Sequence, residues 1–318
     1  QSQQDTTIQQ TTESDKVLPD LPDTDLEGYE FNFLVRSAND TVWQSRDIVA
    51  AEETGEAIND AVYTRNKYVE DKYNFKITAT DYDGNITGLK SSLTAGDSTY
   101  DALMLHGRDQ ATLAMAGLLA DIYTIPNLAL DKPWWNKATE EQLSIGGKLF
   151  FTDGDISITS KNGMRVIFFN KKMIQDYSLE NPYELVKNNQ WTLDKLYSMC
   201  KDVSYDENGD GAFDENDRYG FLVQSGITIN MFYGAGEKLA VKDAEDIPHL
   251  NVGSARSLEI LDLLTNILSS KNAVMFDSDY ADKGMEHMLQ ATFEDNRGLF
   301  FAEVLQLAER MRSADQDF

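Results

Sequence analysis

Twelve residues carry the most specific chemistry in this chain. From 206 to 217 the sequence reads DENGDGAFDEND, with oxygen-bearing side chains at loop positions one, three, five, nine and twelve (Asp206, Asn208, Asp210, Asp214 and Asp217) and glycine at six, Gly211. Calcium takes six to eight hard oxygen ligands, and a glycine at the sixth position permits the sharp turn that wraps them round one ion. Ala212, at position seven, would lend its backbone carbonyl, and Phe213, at position eight, would turn its ring inward. The spacing therefore predicts a calcium-type loop. Position twelve is Asp217 where the helix-loop-helix calcium consensus has glutamate, so bidentate capping is weakened and the loop stands closer to the dockerin type. A single loop without a partner loop has little to switch. A structural ion fits it better than a signalling or catalytic one, and the bland reading is an acidic turn that holds no ion.

Other chemistry is sparse. The one cysteine, Cys200, lies in the apolar-periodic stretch 191–200, and none of His106, His249 and His287 stands in a local signature with it, so it reads as a filler of a helix face. The sequence contains no phosphate-binding glycine loop, zinc-type histidine pair or serine-nucleophile elbow. Carboxylates abound, yet none occupies a recognisable catalytic setting of two acids flanking a bond.

Charge narrows the partners further. The 318 residues include 54 acidic against 28 basic side chains, a formal net charge of −26. Such a field repels nucleic acid and anionic lipid surfaces. With 41% hydrophobic residues the chain can bury one large core or two modest ones. No stretch approaches the ~20 apolar residues of a membrane span.

Residues 1–28, rich in Gln, Thr and Asp, read as a disordered tether. The chain starts at Gln1 without methionine or an apolar export core, which suggests a mature or trimmed form. Tyr29, Phe31, Phe33 and Val35 alternate at the strand period; Ile58, Ala61, Val62 and Val69 recur at helical spacing; Phe75, Ile77 and Ala79 resume the strand. Strand, helix, strand implies a parallel pair. A helix at 89–94, a strand at 100–105 and a helix at 111–116 continue the alternation, which specifies an α/β lobe spanning 29–154.

The second lobe, 155–318, is expected to follow an extended run at 148–158. It would contain a strand at 165–169, helices between 171 and 201 with Thr192 as an N-cap, a helix whose apolar stripe runs through Leu258, Leu261, Leu264 and Ile267 or Leu268, a buried strand at 299–302 and a helix at 304–311.

These pieces resemble a known family in their order. The run DENGDG followed by DENDRYG at 214–220 is similar to a loop of family 1 extracellular solute-binding proteins, the sugar-capturing subunits of bacterial ABC importers. YDAL at 100–103 with GLLADI at 117–122, PWW at 133–135, DISI at 155–158 with RVIFFNK at 165–171, and GLFF at 298–301 with Glu303 agree with it. The resemblance implies a two-lobed periplasmic-binding-protein-like α/β fold with a hinge, a solute held between the lobes, delivery to an ABC transporter permease, and a cell-surface lipoprotein outside the cell whose lipid anchor lies outside this sequence. Members normally continue well past a segment like 311–318, so the resemblance also implies that C-terminal return segments are missing.

A carbohydrate site needs aromatic faces for sugar C–H surfaces and planar polar groups for hydroxyls. Arg36 and Trp43 follow the first strand at the carboxyl end, where open α/β sheets bind ligands. His106 and Arg108 follow the third strand in the same relation. Trp135, of the adjacent pair with Trp134, Tyr233 in an aromatic turn before Gly234 and Gly236, and Glu303 just past an apolar strand complete the candidates. Each has an ordinary role open to it as well: lobe packing for Trp43, loop structure for Tyr233, helix capping for Glu303. The competing functions are a glycoside hydrolase and a calcium-dependent assembly module, the latter of which would call for two calcium-type loops.

Overall fold

The computed structural model describes residues 17–36, 43–283, 285–312 and 317–318. Residues 1–16 of the expected tether therefore lie outside the described residues. Its end does not hang free, since the amides of Leu26 and Gly28 donate to the carbonyls of Tyr73 and Asn74, each at 2.8 Å.

The chain divides into two compact units between Thr159 and Ser160. In the first, β1 (Tyr29–Arg36), α1 (Ala57–Tyr73), β2 (Phe75–Tyr82), α2 (Ile86–Thr94), β3 (Ala102–Met104), α3 (Gly107–Met115) and α4 (Lys137–Leu143) follow in order, and α5 (Ile158–Asn162) runs across the division. The sheet order is β2-β1-β3 and every pair is parallel, so the alternating periods of two and 3.6 did specify crossover helices. The βαβ register is complete from Tyr29 opposite Phe75 to Arg36 opposite Tyr82. Leu34, Leu89, Leu105 and Leu113 close the core of this unit.

Helix starts in this unit are set by side chains. Glu56 caps α1, Asn85 caps α2 and His106 caps α3, each accepting from first-turn amides that have no partner inside the helix. Asn74 ends α1 in the left-handed conformation, φ 48°.

The second unit holds β4 (Arg165–Phe169), α6 (Lys171–Asp176), α7 (Pro182–Lys187), α8 (Leu193–Val203), β5 (Tyr219–Val223), α9 (Thr228–Gly234), β6 (Ala240–Lys242), β7 (Pro248–Leu250), α10 (Ala255–Leu268), β8 (Val274–Phe276), α11 (Met285–Glu294), β9 (Gly298–Val304) and α12 (Leu307–Arg310). Its sheet runs β4-β9-β5-β8, with β4 antiparallel to β9 and the other pairs parallel. β5 and β9, the two central strands, are buried along their whole length, as strands of a sheet covered on both faces should be, and apart from Glu303 their side chains are apolar or aromatic. β6 and β7 form a separate antiparallel hairpin.

Three expectations need correction. The run 148–158 is not a strand: its pairing reduces to single bridges, Ile145 with Lys148 and Trp135 with Gly154. Gly146 and Gly147, both at positive φ, fold the chain back at once, and α5 begins at Ile158. On α10 the buried face is Ser257, Ile260, Leu264 and Ile267, while Leu258 and Leu261 stand half exposed. The expected stripe therefore mixes two neighbouring rows, Leu264 and Ile267 lying on the buried face and Leu258 and Leu261 beside it. The last helix, α12, is a single turn.

Cys200 does fill the buried face of α8, pressed against Gly220 of β5; a Cβ on that glycine would lie 2.2 Å from the Cys200 Cα. Thr192 caps α8, its hydroxyl accepting from the Lys195 amide at 3.1 Å. Among the described residues no helix is long and apolar enough to cross a membrane.

Candidate functional site

In the first unit the candidates gather at the carboxyl edge of the parallel sheet. Arg36 is the last residue of β1, and the Arg36 guanidinium lies 6.0 Å from the centre of the Trp43 ring. At that range a cation meets the negative face of an indole. β3 pairs with β1 up to Val35 opposite Met104, so the chain leaves the sheet beside Arg36 and enters α3 through His106. His106 is spent on structure there: its Nδ1 accepts from the Arg108 amide at 3.1 Å as the cap of α3. Arg108 is 81% exposed along its side chain and pairs loosely with Asp109 at 3.7 Å.

The same edge contains a residue that sequence reasoning passed over. Tyr82 stands opposite Arg36 in the β1–β2 register and is buried, yet its hydroxyl has no hydrogen-bond partner among the described residues. Burial, followed by the negative charges of Asp109 and Asp83, pushes that hydroxyl above the usual tyrosine range, and Arg108 opposes them. The signal that could have found it is the pattern itself, since the residue ending β2 must arrive at the edge where β1 ends.

Trp135 takes a packing role. Its indole N–H donates to the Leu128 carbonyl at 2.7 Å, and its ring lies against Gly154, where an added Cβ would meet Trp135 Cε3 at 3.0 Å.

In the second unit Glu303 is not past the strand but within β9, and it is buried at 3% exposure. A buried carboxylate must be paired. One oxygen accepts from the Val304 amide at 2.8 Å and stands 3.6 Å from the Arg165 guanidinium on the neighbouring β4. Tyr233 lies in the last turn of α9 rather than in a loop; it is 45% exposed, its ring edge-on to buried Phe232 at 6.4 Å. A cavity of about 530 Å³ opens in this unit beside Arg165, Trp191, Asn230, Met231 and Ile260, with the Arg256–Glu259 ion pair also on its lining. The Trp191 ring is held edge-on to Phe300 at 5.4 Å.

The loop 206–217 is closed by its own hydrogen bonds. Asp206 accepts from the amides of Gly209 and Gly211 at 2.7 and 2.8 Å. Asn208 accepts from Asp210, Asp210 from Ala212, and Asp214 from Asn216, each at 2.8–2.9 Å. Asp217, fully buried, accepts from Glu207 at 2.9 Å and from Asp214 at 2.7 Å. Below the loop, Tyr205 and Arg218 exchange backbone hydrogen bonds at 3.0 and 3.1 Å.

Phe213 packs on Tyr219 at 5.8 Å against the cluster that includes Phe293 and Phe301. Arg297, which precedes β9, donates to the carbonyls of Glu215 and Asp217. The donor set is all oxygen, the class that hard cations take. Among the described residues, however, no three or more His, Cys, Asp or Glu side chains gather as a metal-holding group.

No family model and no curated protein matches the chain. Solved structures do match it in fold. A substrate-binding protein of an ABC transporter from Listeria monocytogenes, in complex with cycloalternan, aligns over 91% of this chain and 65% of its own, with TM-score 0.54 and 17% identity. A cyclo/maltodextrin-binding protein complexed with maltotetraose aligns over 91% and 63%, with TM-score 0.57 and 12% identity. The galacto-N-biose/lacto-N-biose I-binding protein of an ABC transporter from Bifidobacterium longum, in complex with lacto-N-biose, aligns over 91% and 63%, with TM-score 0.54 and 17% identity. The chain thus spans 63–65% of the length of these structures. Its two α/β units have the fold of ABC-transporter solute-binding proteins.

Proposed function

We propose that this chain is an extracellular solute-binding protein that captures a carbohydrate and hands it to the permease of an ABC importer, without chemical conversion. The observation that carries the reading is the carboxyl edge of the first sheet, where the Arg36 guanidinium faces the Trp43 indole and exposed Arg108 opens the helix after the neighbouring strand. An aromatic plane flanked by planar, multidentate donors is the chemistry that recognises a sugar ring and its hydroxyls. The fold supports it, being that of structures whose ligands are cycloalternan, maltotetraose and lacto-N-biose.

A thermal-shift screen with these three sugars, followed by chromatography of the sugar, tests the reading. Binding to the folded state alone raises stability by RT ln(1 + [L]/Kd), about 2.7 kcal/mol at a hundredfold excess over Kd. The expected result is stabilisation by one class of oligosaccharide that is recovered intact. Turnover of the stabilising sugar, or no stabilisation by any of them, would sink the proposal.

The loop 206–217 belongs to this reading as a structural calcium site. Asp206, Asn208, Asp210, the Ala212 carbonyl, Asp214 and Asp217 would hold the ion, and its charge would neutralise a locally acidic loop. The donor chemistry supports this, and binding would draw together side chains that now accept from loop amides and from the Asn208 and Asn216 side chains. Calcium titration followed by calorimetry tests it directly.

A further inference from the structure

Asp47 is buried at 1% exposure in the loop that follows Trp43. Its carboxylate accepts from the Arg46 amide at 2.9 Å and from the Ser45 hydroxyl at 3.4 Å, both within its own loop. It also accepts from Thr159, 112 residues away, through the amide at 3.1 Å and the hydroxyl at 3.3 Å. Thr159 lies in the first turn of α5 and is the last residue of the first unit. A first-turn amide has no acceptor inside its own helix, and a carboxylate there makes a charge-assisted bond. Burying a carboxylate is costly unless donors surround it, so this arrangement is specified by the fold.

The other side of the loop is anchored to α1. Arg65 donates to the carbonyls of Asp47 and Ile48 at 2.7 and 3.3 Å, and buried Asn66 donates to Ile48 at 2.7 Å. Arg65 in turn donates twice to the Asn66 side chain, at 3.0 and 2.7 Å, so the pair acts as one clamp. The loop is therefore fixed to α1 by its backbone and to α5 by one side chain. Trp43, with the Arg36 guanidinium at its ring, stands four residues before that side chain.

We propose that Asp47 is a positioning residue for solute binding: it ties the loop bearing Trp43 to the segment by which the chain passes from the first unit into the second. A solute seated on Trp43 then restrains that segment through Asp47. The inference rests on the carbohydrate-binding reading above for its solute arm alone. The tie itself is a property of the solute-free protein.

The test is amide hydrogen exchange of the full chain, wild type against Asp47→Asn, with and without maltotetraose, lacto-N-biose or cycloalternan. Asparagine keeps the size but replaces one acceptor oxygen with an NH2 group, leaving one oxygen for the amides of Arg46 and Thr159, which the two carboxylate oxygens take separately. Without sugar, D47N should speed exchange at Thr159 and Ser160 at least tenfold and leave Leu34 in β1 unchanged. With a sugar that binds, the wild type should be protected at 158–160, whereas D47N should bind more weakly and lose that protection.

Unchanged Thr159 exchange in D47N would overturn the tie, and sugar protection of 158–160 persisting in D47N would overturn the coupling. A wild type that binds none of the sugars would overturn the functional reading and the coupling with it, while the sugar-free comparison still judges the tie. Should D47N fail to fold, Thr159→Val removes the hydroxyl half of the tie and should speed exchange at Thr159 and Ser160 by a smaller factor, with Thr159→Ser expected to restore wild-type exchange; no acceleration in Thr159→Val would overturn the tie.

Discussion

The Asp217 carboxylate accepts the amide of Glu207 at 2.9 Å, so the last residue of the acidic loop fastens its second. The other carboxylate oxygen takes the amide of Asp214 at 2.7 Å. Asp217 is thus a closure even in the absence of any cation. Removing it by Asp217→Ala strands two amides in a part-buried setting, each costing about 1–2 kcal/mol. We expect a loss of about 2–4 kcal/mol in denaturant unfolding, with Asp210→Ala, on the exposed side of the loop, costing under about 1 kcal/mol. Equal effects of the two would refute the assignment.

Calcium should add to that closure. Exhaustive chelation is expected to lower the melting temperature, and calcium to restore it more fully than magnesium, because a flexible oxygen cage suits the larger ion. In Asp206→Ala the response to calcium should vanish while the chelated protein melts close to chelated wild type. A melting curve indifferent to chelator and to added calcium would remove the ion from the account.

Sugar affinity should depend on the paired residues at the sheet edge and not on the packed Trp135. Trp43→Ala and Arg36→Ala are each expected to weaken binding at least tenfold, about 1.4 kcal/mol. Trp135→Phe, which deletes the hydrogen bond to Leu128 and part of the ring packed on Gly154, should cost stability instead of affinity. Isothermal titration beside thermal melts separates the two. If Trp135→Phe were to weaken binding while Trp43→Ala left it intact, the site would have to be moved.

What could be read from residues alone followed from period and spacing. The β1-α1-β2 unit, buried β9, the Thr192 cap and inward-turned Phe213 all rest on local patterns that the packed chain keeps. The errors arose where distant residues decide. Nothing local marks Glu303 as the partner of Arg165, because the two meet only when β4 pairs antiparallel with β9. Asp47 looks like any loop aspartate until Thr159 reaches it, and Tyr82 looks like a strand tyrosine until its register sets it opposite Arg36. His106 was legible as a polar residue after a strand, but the same position makes it a helix cap.

The hairpin of β6 and β7 carries the clearest pH signature. Asp243 accepts from the amides of Glu245 and Ile247 at 3.0 and 2.9 Å and meets His249 Nε2 at 2.6 Å. The His249 hydrogen bond, then that of the Ile247 amide, holds the Asp243 carboxyl below its ordinary value of 3.8. A carboxyl depressed by folding contributes stability that is fully present above its unfolded value and is lost as pH falls through the folded one. The hairpin should therefore hold at pH 5 and loosen below about pH 4, read as rising amide exchange at Val241 and His249, with β5 unaffected over the same range. His249→Gln should shrink the acid-induced rise in exchange, since it removes the largest cause of the depression and leaves the backbone donors. A rise of unchanged size in His249→Gln would assign the depression to the turn amides alone.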